Sequence, residues 1–519
     1  MGEVYLHVSA PMYQTHGDPG SIRKLTDRRV RTLFTVVAGI TSLSAVLRLL
    51  HLGSKSLWVD ECASVIFAQQ PWPSFWKTMW HGEANMLSYY LLLRGWVHLG
   101  NTEFIVRSLS VIPAVGTVFV VYILGKRLFS AQVGLVSALL LAVNACHVAY
   151  SQEARGYALL LLLSSLSILT FVTAIERATT RSWLLYALVT VAAVYTHFFA
   201  GFLIVAQWVS LAFLPRRAID LRKFYCSASL ITICIFPALW FVLRKDVGQI
   251  DFIPNPGILE LYRLILFLTS YGGKVFGILL AIIYLACLGV SLRIFLTNWR
   301  HSRQSIESWR LALLLSCVFL PVLLDISISH LGKQIFYYRY LLICLPALVV
   351  LAARGFCCLR SRRVVVTALV AVSALSMATV WRYYAKPKED WREATHYLLS
   401  NSRPDDTVVS YPWYAQEPLK YYEEQLRPSA NMLRLVPAQM YSVNAPQLNR
   451  FEVVWLLSCR EDAYLRLFRK GLSRAYPYHH EWRYDGAITV EQYSNQELTA
   501  HNDQDINSVA RAVSPGPLR

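Results

Sequence analysis

The most constraining feature of this sequence is a series of long apolar segments, most of them close to the roughly 20 residues that a helix needs to cross a bilayer. They are residues 32–51, 104–125, 132–150, 157–175, 183–198, 199–214, 225–243, 275–296, 310–329, 338–353 and 364–383. Of the 519 residues, 55% are hydrophobic and only 16% are charged, which is typical of a membrane protein. We therefore predict a polytopic α-helical membrane fold with about 11 transmembrane helices.

The positive charge is concentrated in short loops between the apolar segments. The net charge is +18, but this placement is the orientation signal of a membrane protein and not a nucleic-acid-binding face. With eleven spans, the basic loops all fall on the side of the N-terminus, which the positive-inside rule makes cytoplasmic. The basic loop residues are Arg23, Lys24, Arg28, Arg29, Arg31, Lys126, Arg127, Arg177, Arg181, Arg216, Arg217, Arg222, Lys223, Arg300, Arg303, Arg310, Arg360, Arg362 and Arg363.

One short apolar segment, residues 86–99, decides this topology. If it crossed the membrane, Lys126, Arg127 and every later basic loop would move to the outer side. The segment also contains Arg94 and His98, so we predict a helix that lies in the outer interface. The same prediction applies to residues 259–271. A long first outer loop, residues 52–103, follows from this topology.

The chain divides into four predicted regions. These are a cytoplasmic basic N-terminus (1–31), a membrane domain (32–384), an extracytoplasmic α/β domain (385–494) and a disordered tail (495–519). The first apolar segment lacks a small-residue cleavage site, so we expect an anchor and not a cleaved signal peptide. Within the α/β domain we predict helices at 390–399 and 416–424, strands at 407–410 and 453–457, and a hairpin from 476–482 and 487–493.

Two acidic loops stand out on the predicted outer side. Asp60 and Glu61 lie in the first outer loop, and Glu153 lies with Arg155 in the second, residues 151–155. Carboxylates beside a membrane are costly unless they are solvated, paired or functional. A structural explanation exists for each loop: Asp60 could cap a helix that begins at Glu61, and Glu153 could form a local ion pair with Arg155.

Other polar residues fall on the same predicted face. His197 lies at an outer turn and Arg339 at the start of a late apolar segment; alternatively, His197 is a satisfied interfacial histidine and Arg339 only anchors a helix to headgroups. The spacing of Trp72, Trp76 and Trp80 indicates one membrane-facing helix stripe.

This combination suits a donor whose leaving group is a lipid phosphate. Arginines at the interface can bind the phosphate, and a carboxylate can deprotonate the acceptor hydroxyl. The sequence contains neither a GxxxxGK[ST] nor a GxGxxG nucleotide-binding motif.

Several stretches resemble the GT-C membrane glycosyltransferases, in particular the family 39 group with the protein O-mannosyltransferases and the lipid A aminoarabinose transferases. The resemblance covers about residues 30–355. The most specific stretches are Trp58-Val59-Asp60-Glu61 and residues 150–159, YSQEARGYAL. The others are residues 85–93, 125–129, 195–197, 338–341 and 345–348.

The resemblance implies a polyprenyl-phosphate-linked sugar donor and inverting transfer. It implies Asp60 as the catalytic base, with Glu61 and Glu153 as further catalytic residues. Arg155, Arg339 and Tyr338 would contact the donor phosphate. The remaining candidates, for the acceptor or another part of the site, are Trp58, His81, Glu83, Asn85, Tyr89 and His197.

The acceptor stays open. Many relatives carry His-Pro-Pro-Leu before a Tyr-Tyr pair. This chain has that pair as Tyr89-Tyr90, but the residues before it are Glu83-Ala84-Asn85-Met86-Leu87-Ser88. We expect a membrane-bound lipid, glycan or protein acceptor at the outer face of a bacterial cytoplasmic membrane. A divalent cation held by His81 and Glu83 stays open as a cofactor.

Two alternative functions stay open. One is a glycan polymerase or ligase with a diphosphate-linked donor, and the other is a lipid-linked sugar transporter or flippase.

Overall fold

The structure is a computed structural model. It describes residues 19–244, 256–272, 274–302, 304–403, 406–426, 433–440, 448 and 450–496. The predicted disordered tail therefore lies almost entirely outside the described residues.

The first part of the chain is helical. Its helices are α1 (Pro19–Leu49), α2 (Val59–Gln69), α3 (Trp72–Thr78), α4 (Leu87–Trp96), α5 (Glu103–Leu128), α6 (Ala131–Ala142), α7 (Ala145–Ser151), α8 (Tyr157–Arg177), α9 (Thr180–Thr196), α10 (Ala200–Ser210), α11 (Leu221–Arg244), α12 (Ile258–Ser270), α13 (Val275–His301), α14 (Ile306–His330), α15 (Leu345–Phe356) and α16 (Arg362–Ala385). A 3₁₀ segment, Tyr338–Cys344, leads directly into α15.

Within the described residues, eight helical segments are long and apolar enough to cross a membrane, or nine if the bent pair α6–α7 forms one span. The predicted polytopic helical membrane fold is therefore confirmed. The two remaining predicted spans fall on α9, which has 17 residues, and on the short apolar helix Ala200–Phe213. The count of eleven stays a prediction.

The two predicted interfacial segments are short helices. Helix α4 has 10 residues, so it is only about 15 Å long, half the thickness of a hydrocarbon core. Helix α12 has 13 residues. The tryptophan stripe lies on α3 and on the π-helical turn Met79–Glu83 that continues it, and its three side chains are exposed.

The bend between α6 and α7 places the second outer loop. The two helices meet at 61°, and the Asn144 side chain caps α7 by accepting from His147 N at 2.9 Å. Buried Arg48 donates to the last carbonyl groups of α6, Leu141 O at 3.2 Å and Ala142 O at 3.0 Å. The last carbonyl groups of a helix lack the usual donor four residues on, and Arg48 supplies one here. Gln152 Nε2 then donates to Arg48 O at 3.0 Å, which attaches the second outer loop to the end of α1.

The C-terminal part forms a five-stranded sheet with three helices. Its elements are α17 (Trp391–Asn401), β1 (Thr407–Tyr411), α18 (Gln416–Leu426), β2 (Arg434–Pro437), β3 (Val453–Ser458), α19 (Ala463–Ala475), β4 (Tyr478–Tyr484) and β5 (Ile488–Ser494). The strand order is β2-β1-β3-β5-β4. Strand β1 is parallel to β2 and β3, and β5 is antiparallel to β3 and β4.

The predicted small α/β fold is confirmed, and its predicted helices, central strands and hairpin lie where the sequence placed them. Strands β1 and β3 are buried along their whole length, as their continuous apolar runs indicate. Sequence reasoning missed β2 and α19. Helix α19 has a detectable pattern, because Leu465, Phe468 and Leu472 share one buried face.

Candidate active site

Asp60 lies between two arginines from distant parts of the chain. Its carboxylate is about one-third exposed, and its Oδ2 is 3.4 Å from Arg339 Nη1 and 3.7 Å from Arg155 Nη2. Helix α2 begins at Val59, with Trp58 at the N-cap position. The interpretation of Asp60 as a helix cap is therefore wrong. Its carboxylate projects from the first turn of α2 into the space that the two arginines share.

Arg155 is held by polar groups from two helices. Its Nη1 donates to Tyr90 Oη at 3.1 Å, to Ser64 Oγ at 3.3 Å and to the backbone oxygen of Asp60 at 3.4 Å. The next residue, Gly156, lets the second outer loop pack closely against α4, because a Cβ at position 156 would lie 3.2 Å from Tyr89 Cβ. The interpretation of Glu153 and Arg155 as a local ion pair is wrong, because Arg155 pairs with Asp60 instead.

Arg339 is held by aromatic rings. Its guanidinium lies 5.2 Å from the centre of the Trp58 ring and 4.6 Å from that of Tyr337, within the range of a cation–π contact. Its Nη2 also donates to Tyr337 Oη at 2.8 Å. Trp58 therefore orients the arginine that faces Asp60. Tyr338 packs beside Tyr337 and against the Phe267 ring.

Glu61 points away from Asp60 and is fully buried. Arg107 grips it with two hydrogen bonds, Nε to Oε1 at 2.8 Å and Nη2 to Oε2 at 2.7 Å. Ala154 N donates to Oε1 at 2.8 Å, and Lys388 Nζ is 3.8 Å from Oε2. Burial would raise the pKa of Glu61, but Arg107, Lys388 and the hydrogen bonds hold that pKa at about 2.

The Glu61–Arg107 pair joins three parts of the site. Arg107 also donates to the carbonyl oxygens of Leu52 at 3.0 Å and Ser56 at 2.9 Å, at the start of the first outer loop. Through Ala154, Glu61 reaches the second outer loop. Neighbouring residues on a helix point about 100° apart, so the pair holds α2 in place while Asp60 faces the open side.

Glu153 is a buried carboxyl close to these charges. Its Oε2 has no hydrogen-bond partner among the described residues. Burial raises the pKa of Glu153, and the carboxylates of Glu61 and Asp60 raise it further, against the opposing effect of Lys388 and Arg339. Ionisation of Glu153 is therefore less favourable than that of an exposed glutamate.

Asn85, His197 and Tyr89 form a support behind the arginines. Asn85 Oδ1 accepts from Phe198 N at 3.0 Å, and Asn85 Nδ2 is 3.3 Å from His197 Nε2. His197 is buried and its ring lies 4.8 Å from that of Tyr340. Buried Tyr89 pairs through its hydroxyl with Ser110 Oγ at 3.0 Å. These contacts favour the structural interpretation of His197 and fix the turn between α9 and α10.

His81 and Glu83 lie on the π-helical turn that follows α3. His81 is exposed and its Nδ1 lies 2.7 Å from Lys77 O in the preceding turn. Within the described residues, no group of three or more His, Cys, Asp or Glu side chains could hold a metal ion.

The C-terminal domain contacts the first outer loop beside the site. Tyr422 Oη lies 2.6 Å from Leu57 N, which donates to it, and 3.1 Å from Glu103 Oε1. Arg392 pairs with the same Glu103 carboxylate, Nε to Oε1 at 2.9 Å. Ser56 Oγ donates to Glu389 O at 2.5 Å. We call these four contacts, made by Glu389, Arg392 and Tyr422, the loop clasp.

Solved structures share this architecture over most of the chain. The apo structure of ArnT from Cupriavidus metallidurans has a TM-score of 0.53 and 12% identity, over 88% of this chain and 98% of that chain. The same protein bound to undecaprenyl phosphate has a TM-score of 0.52 and 11% identity, over 88% and 97%. The chain has the GT-C fold of membrane glycosyltransferases. Archaeal oligosaccharyltransferase AglB from Archaeoglobus fulgidus, in complex with an inhibitory peptide and a dolichol-phosphate, has a TM-score of 0.53 and 12% identity, over 92% and 75%.

A family model supports the GT-C resemblance from the sequence side. Residues 86–241 match the dolichyl-phosphate-mannose-protein mannosyltransferase family. This region includes Tyr89, Glu153, Arg155 and His197, whereas Asp60 and Arg339 lie outside it. No curated protein sequence gives a significant match. The family match and the GT-C fold together indicate a glycosyltransferase.

The structure adds residues to the candidate site that sequence reasoning missed: Ser64, Tyr90, Arg107, Tyr337 and Lys388. Arg107 carried a signal, because a charge near the start of an apolar span needs a partner. Tyr90 and Tyr337 are the sequence neighbours of Tyr89 and Tyr338, which the sequence analysis named as candidate site residues. Lys388 carried none, because its contact with Glu61 joins residues more than 300 positions apart.

Proposed function

We propose that this protein transfers a sugar from a polyprenyl-phosphate donor to an acceptor hydroxyl at the outer face of a bacterial cytoplasmic membrane. The observation that carries the proposal is the partly exposed Asp60 carboxylate between Arg155 and Arg339. The basic loops on the N-terminal side support the orientation, and the similar ArnT and AglB structures with undecaprenyl phosphate and dolichol-phosphate support the donor class.

Asp60 acts as the general base. The acceptor oxygen attacks the anomeric carbon of the sugar as Asp60 takes the hydroxyl proton. The bond between the anomeric carbon and the phosphate oxygen breaks, and its electron pair stays on the phosphate. Attack opposite the leaving group inverts the anomeric centre. A positioned base contributes about 10²–10⁴-fold to such a step.

Arg155 and Arg339 bind the donor phosphate and stabilise the charge that develops on it. A guanidinium can make two parallel hydrogen bonds to a phosphate. The lipid phosphate gains one negative charge when the sugar leaves, so fixed cations stabilise the transition state more than the ground state. Both arginines are already oriented before the donor binds, Arg155 by Tyr90 and Ser64 and Arg339 by Trp58 and Tyr337.

The charge balance around Asp60 supports an anionic donor. Among the described residues, Arg155 and Arg339 pair with the Asp60 carboxylate, and Arg107 and Lys388 pair with that of Glu61. Asp60 thus faces two positive charges, and the one in excess suits the single negative charge of a phosphodiester. The membrane domain, residues 32–384, would carry the reaction, and the domain at 385–494 would hold the first outer loop in place.

A transfer assay tests the proposal. The full chain, reconstituted in nanodiscs, is given a labelled polyprenyl-phosphate sugar or a polyprenyl-diphosphate oligosaccharide, with membrane lipids, envelope glycans and proteins as acceptors. We expect transfer from the monophosphate donor. Transfer from the diphosphate donor alone would instead assign a polymerase or ligase. Movement of labelled lipid across a proteoliposome membrane without any transfer would assign a flippase.

A further inference from the structure

A second polar cavity lies at the opposite end of the membrane domain from Asp60. It has a volume of about 280 Å³ and lies between the ends of α5, α13 and α15 and the starts of α6 and α14. We call it the basal cavity. Its lining residues are Leu128, Phe129, Ser130, Gln132, Val133, Ile294, Asn298, Glu307, Arg310, Leu311, Arg354 and Cys357.

The basal cavity is separate from the proposed sugar-transfer site. Helix α5 carries Arg107 near one end and Leu128 at the other, and a rise of 1.5 Å per residue places these residues about 30 Å apart. The donor phosphate at Asp60 therefore cannot reach the basal cavity. A ligand there needs its own explanation.

Two arginines in the basal cavity have unused hydrogen-bond donors. The Nε atoms of Arg310 and Arg354 are buried and have no partner among the described residues. The nearest carboxylate to Arg310 is Glu176, at 3.9 Å, and Glu176 already accepts a 2.6 Å hydrogen bond from Arg127. Arg354 Nη1 donates to the Cys358 sulfur at 3.3 Å, which is a weak acceptor, and the guanidinium lies 5.5 Å from the centre of the Phe129 ring.

Two helix N-termini add positive potential to the basal cavity. Ser130 caps α6 by accepting from Val133 N at 3.3 Å, and Ser305 caps α14 by accepting from Ser308 N at 3.0 Å. A cap satisfies one of the backbone N–H groups in the first turn, and the others remain available. Together with the two arginines, these N-termini favour an anion. Glu307 is the one carboxylate in the lining, so the net charge stays positive.

The remaining lining indicates that the anion is attached to an apolar molecule. Leu128, Phe129, Val133, Ile294 and Leu311 surround the polar groups. The volume equals that of roughly nine water molecules, which exceeds what one phosphate group needs. The Arg310 side chain is 29% exposed, but the Nε atoms of Arg310 and Arg354 are buried where they line the cavity.

We propose that the basal cavity binds the phosphate group of an anionic phospholipid from the leaflet on the N-terminal side. Arg310 and Arg354 donate to the phosphate oxygens, and the apolar lining receives the glycerol and the first carbons of the chains. Basic pockets between transmembrane helices bind anionic headgroups in the same way in other membrane proteins. The proposal does not depend on sugar transfer.

Lipid binding to the purified full chain tests the proposal. The delipidated protein is titrated in neutral detergent with phosphatidylglycerol, phosphatidylcholine or inorganic phosphate, and the melting temperature is followed. We expect phosphatidylglycerol to raise it. The double variant Arg310→Gln/Arg354→Gln should bind at least about tenfold more weakly, because two charged hydrogen bonds are lost. Arg222→Gln/Arg363→Gln, which removes two exposed arginines from the same side, should bind normally.

An equal loss in both double variants would overturn the proposal, since it would show only a general charge effect. An equal response to inorganic phosphate would assign the site to a free phosphate compound instead of a lipid. Native mass spectrometry of the unaltered protein makes the test independent of variant folding. Equal retention of phosphatidylglycerol and phosphatidylcholine would also overturn the proposal.

Discussion

Glu61 and Arg107 form a fully buried, bidentate ion pair one residue away from the partly exposed Asp60. The pair spans 46 positions of sequence and joins α2 to α5. Two neighbouring carboxylates thus have different tasks: Glu61 holds the helix, and Asp60 faces the open side.

Replacement of the proposed base should abolish most activity. We expect Asp60→Asn to lower kcat by roughly 10²-fold or more, because the amide cannot accept the acceptor proton. The measurement is the initial rate of sugar transfer at saturating donor. Asp220→Asn, which alters a carboxylate paired with Lys223, is the matched control and should keep full activity. Full activity of Asp60→Asn would exclude Asp60 as the base.

Arg339→Lys should impair the enzyme although the charge is kept. A lysine cannot make two parallel hydrogen bonds to phosphate or stack on the Trp58 ring as a guanidinium does. We expect a higher KM for the donor and a lower kcat, each by about tenfold, the loss of one good charged contact. Arg263→Lys, an exposed arginine that pairs with Glu260, should behave as the unaltered protein. Unchanged kinetics of Arg339→Lys would argue against a phosphate contact.

Glu61→Gln should act mainly on stability. It leaves the buried Arg107 without a charged partner, which costs about 3–5 kcal/mol in comparable cases. The free energy of unfolding in mild denaturant is the measurement. Glu260→Gln, which removes a carboxylate from a pair with a half-exposed arginine, should cost about 1 kcal/mol or less. Equal effects of the two variants would show that the buried pair contributes little.

The stability from Glu61 should also depend on pH. Its pKa is about 2 in the fold, below the value of about 4.3 for an unfolded chain. The contribution is therefore present above about pH 4.3 and is lost as the pH falls toward 2. As the pH falls across this range, the free energy of unfolding should decrease less steeply for Glu61→Gln than for the unaltered protein. Parallel curves would contradict the depressed pKa.

Glu153 should show the opposite dependence. Because its pKa is raised, its contribution to stability is present below the unfolded value of about 4.3 and is lost as the pH rises through the raised pKa. Glu153→Gln keeps a neutral side chain of similar shape, so it should stabilise the protein most at high pH. A stability difference that does not change with pH would show that Glu153 is ionised in the fold.

The loop clasp should couple the C-terminal domain to activity. Tyr422→Phe removes the acceptor of Leu57 N, a buried donor whose loss costs about 1–3 kcal/mol, and loosens the start of α2. We expect lower stability together with lower kcat. Tyr476→Phe removes a hydroxyl that donates to Phe451 O at 3.1 Å inside the same domain. It should lower stability without lowering kcat. Loss of activity in both variants would indicate a general folding effect.

Local patterns were enough to predict much of this molecule. The apolar segments, the helices at 391–401 and 416–426 and the buried strands β1 and β3 each have a periodicity or a length that few alternatives share. The basic loops placed Asp60, Arg155 and Arg339 on one face. Helix α19 was missed because its many arginines hide a regular apolar stripe, and β2 because it has only four residues.

The sequence by itself determined that the chain spans a membrane and that its acidic and basic site residues gather at one end of the helices. Hydropathy and charge along the chain contain that information. Only the tertiary structure decided which carboxylate faces the open side, and that Arg107, Tyr90 and Lys388 hold the site together. Those contacts depend on how each helix is rotated and on the packing of segments far apart in the chain, in one case by more than 300 residues. A local sequence pattern contains neither kind of information.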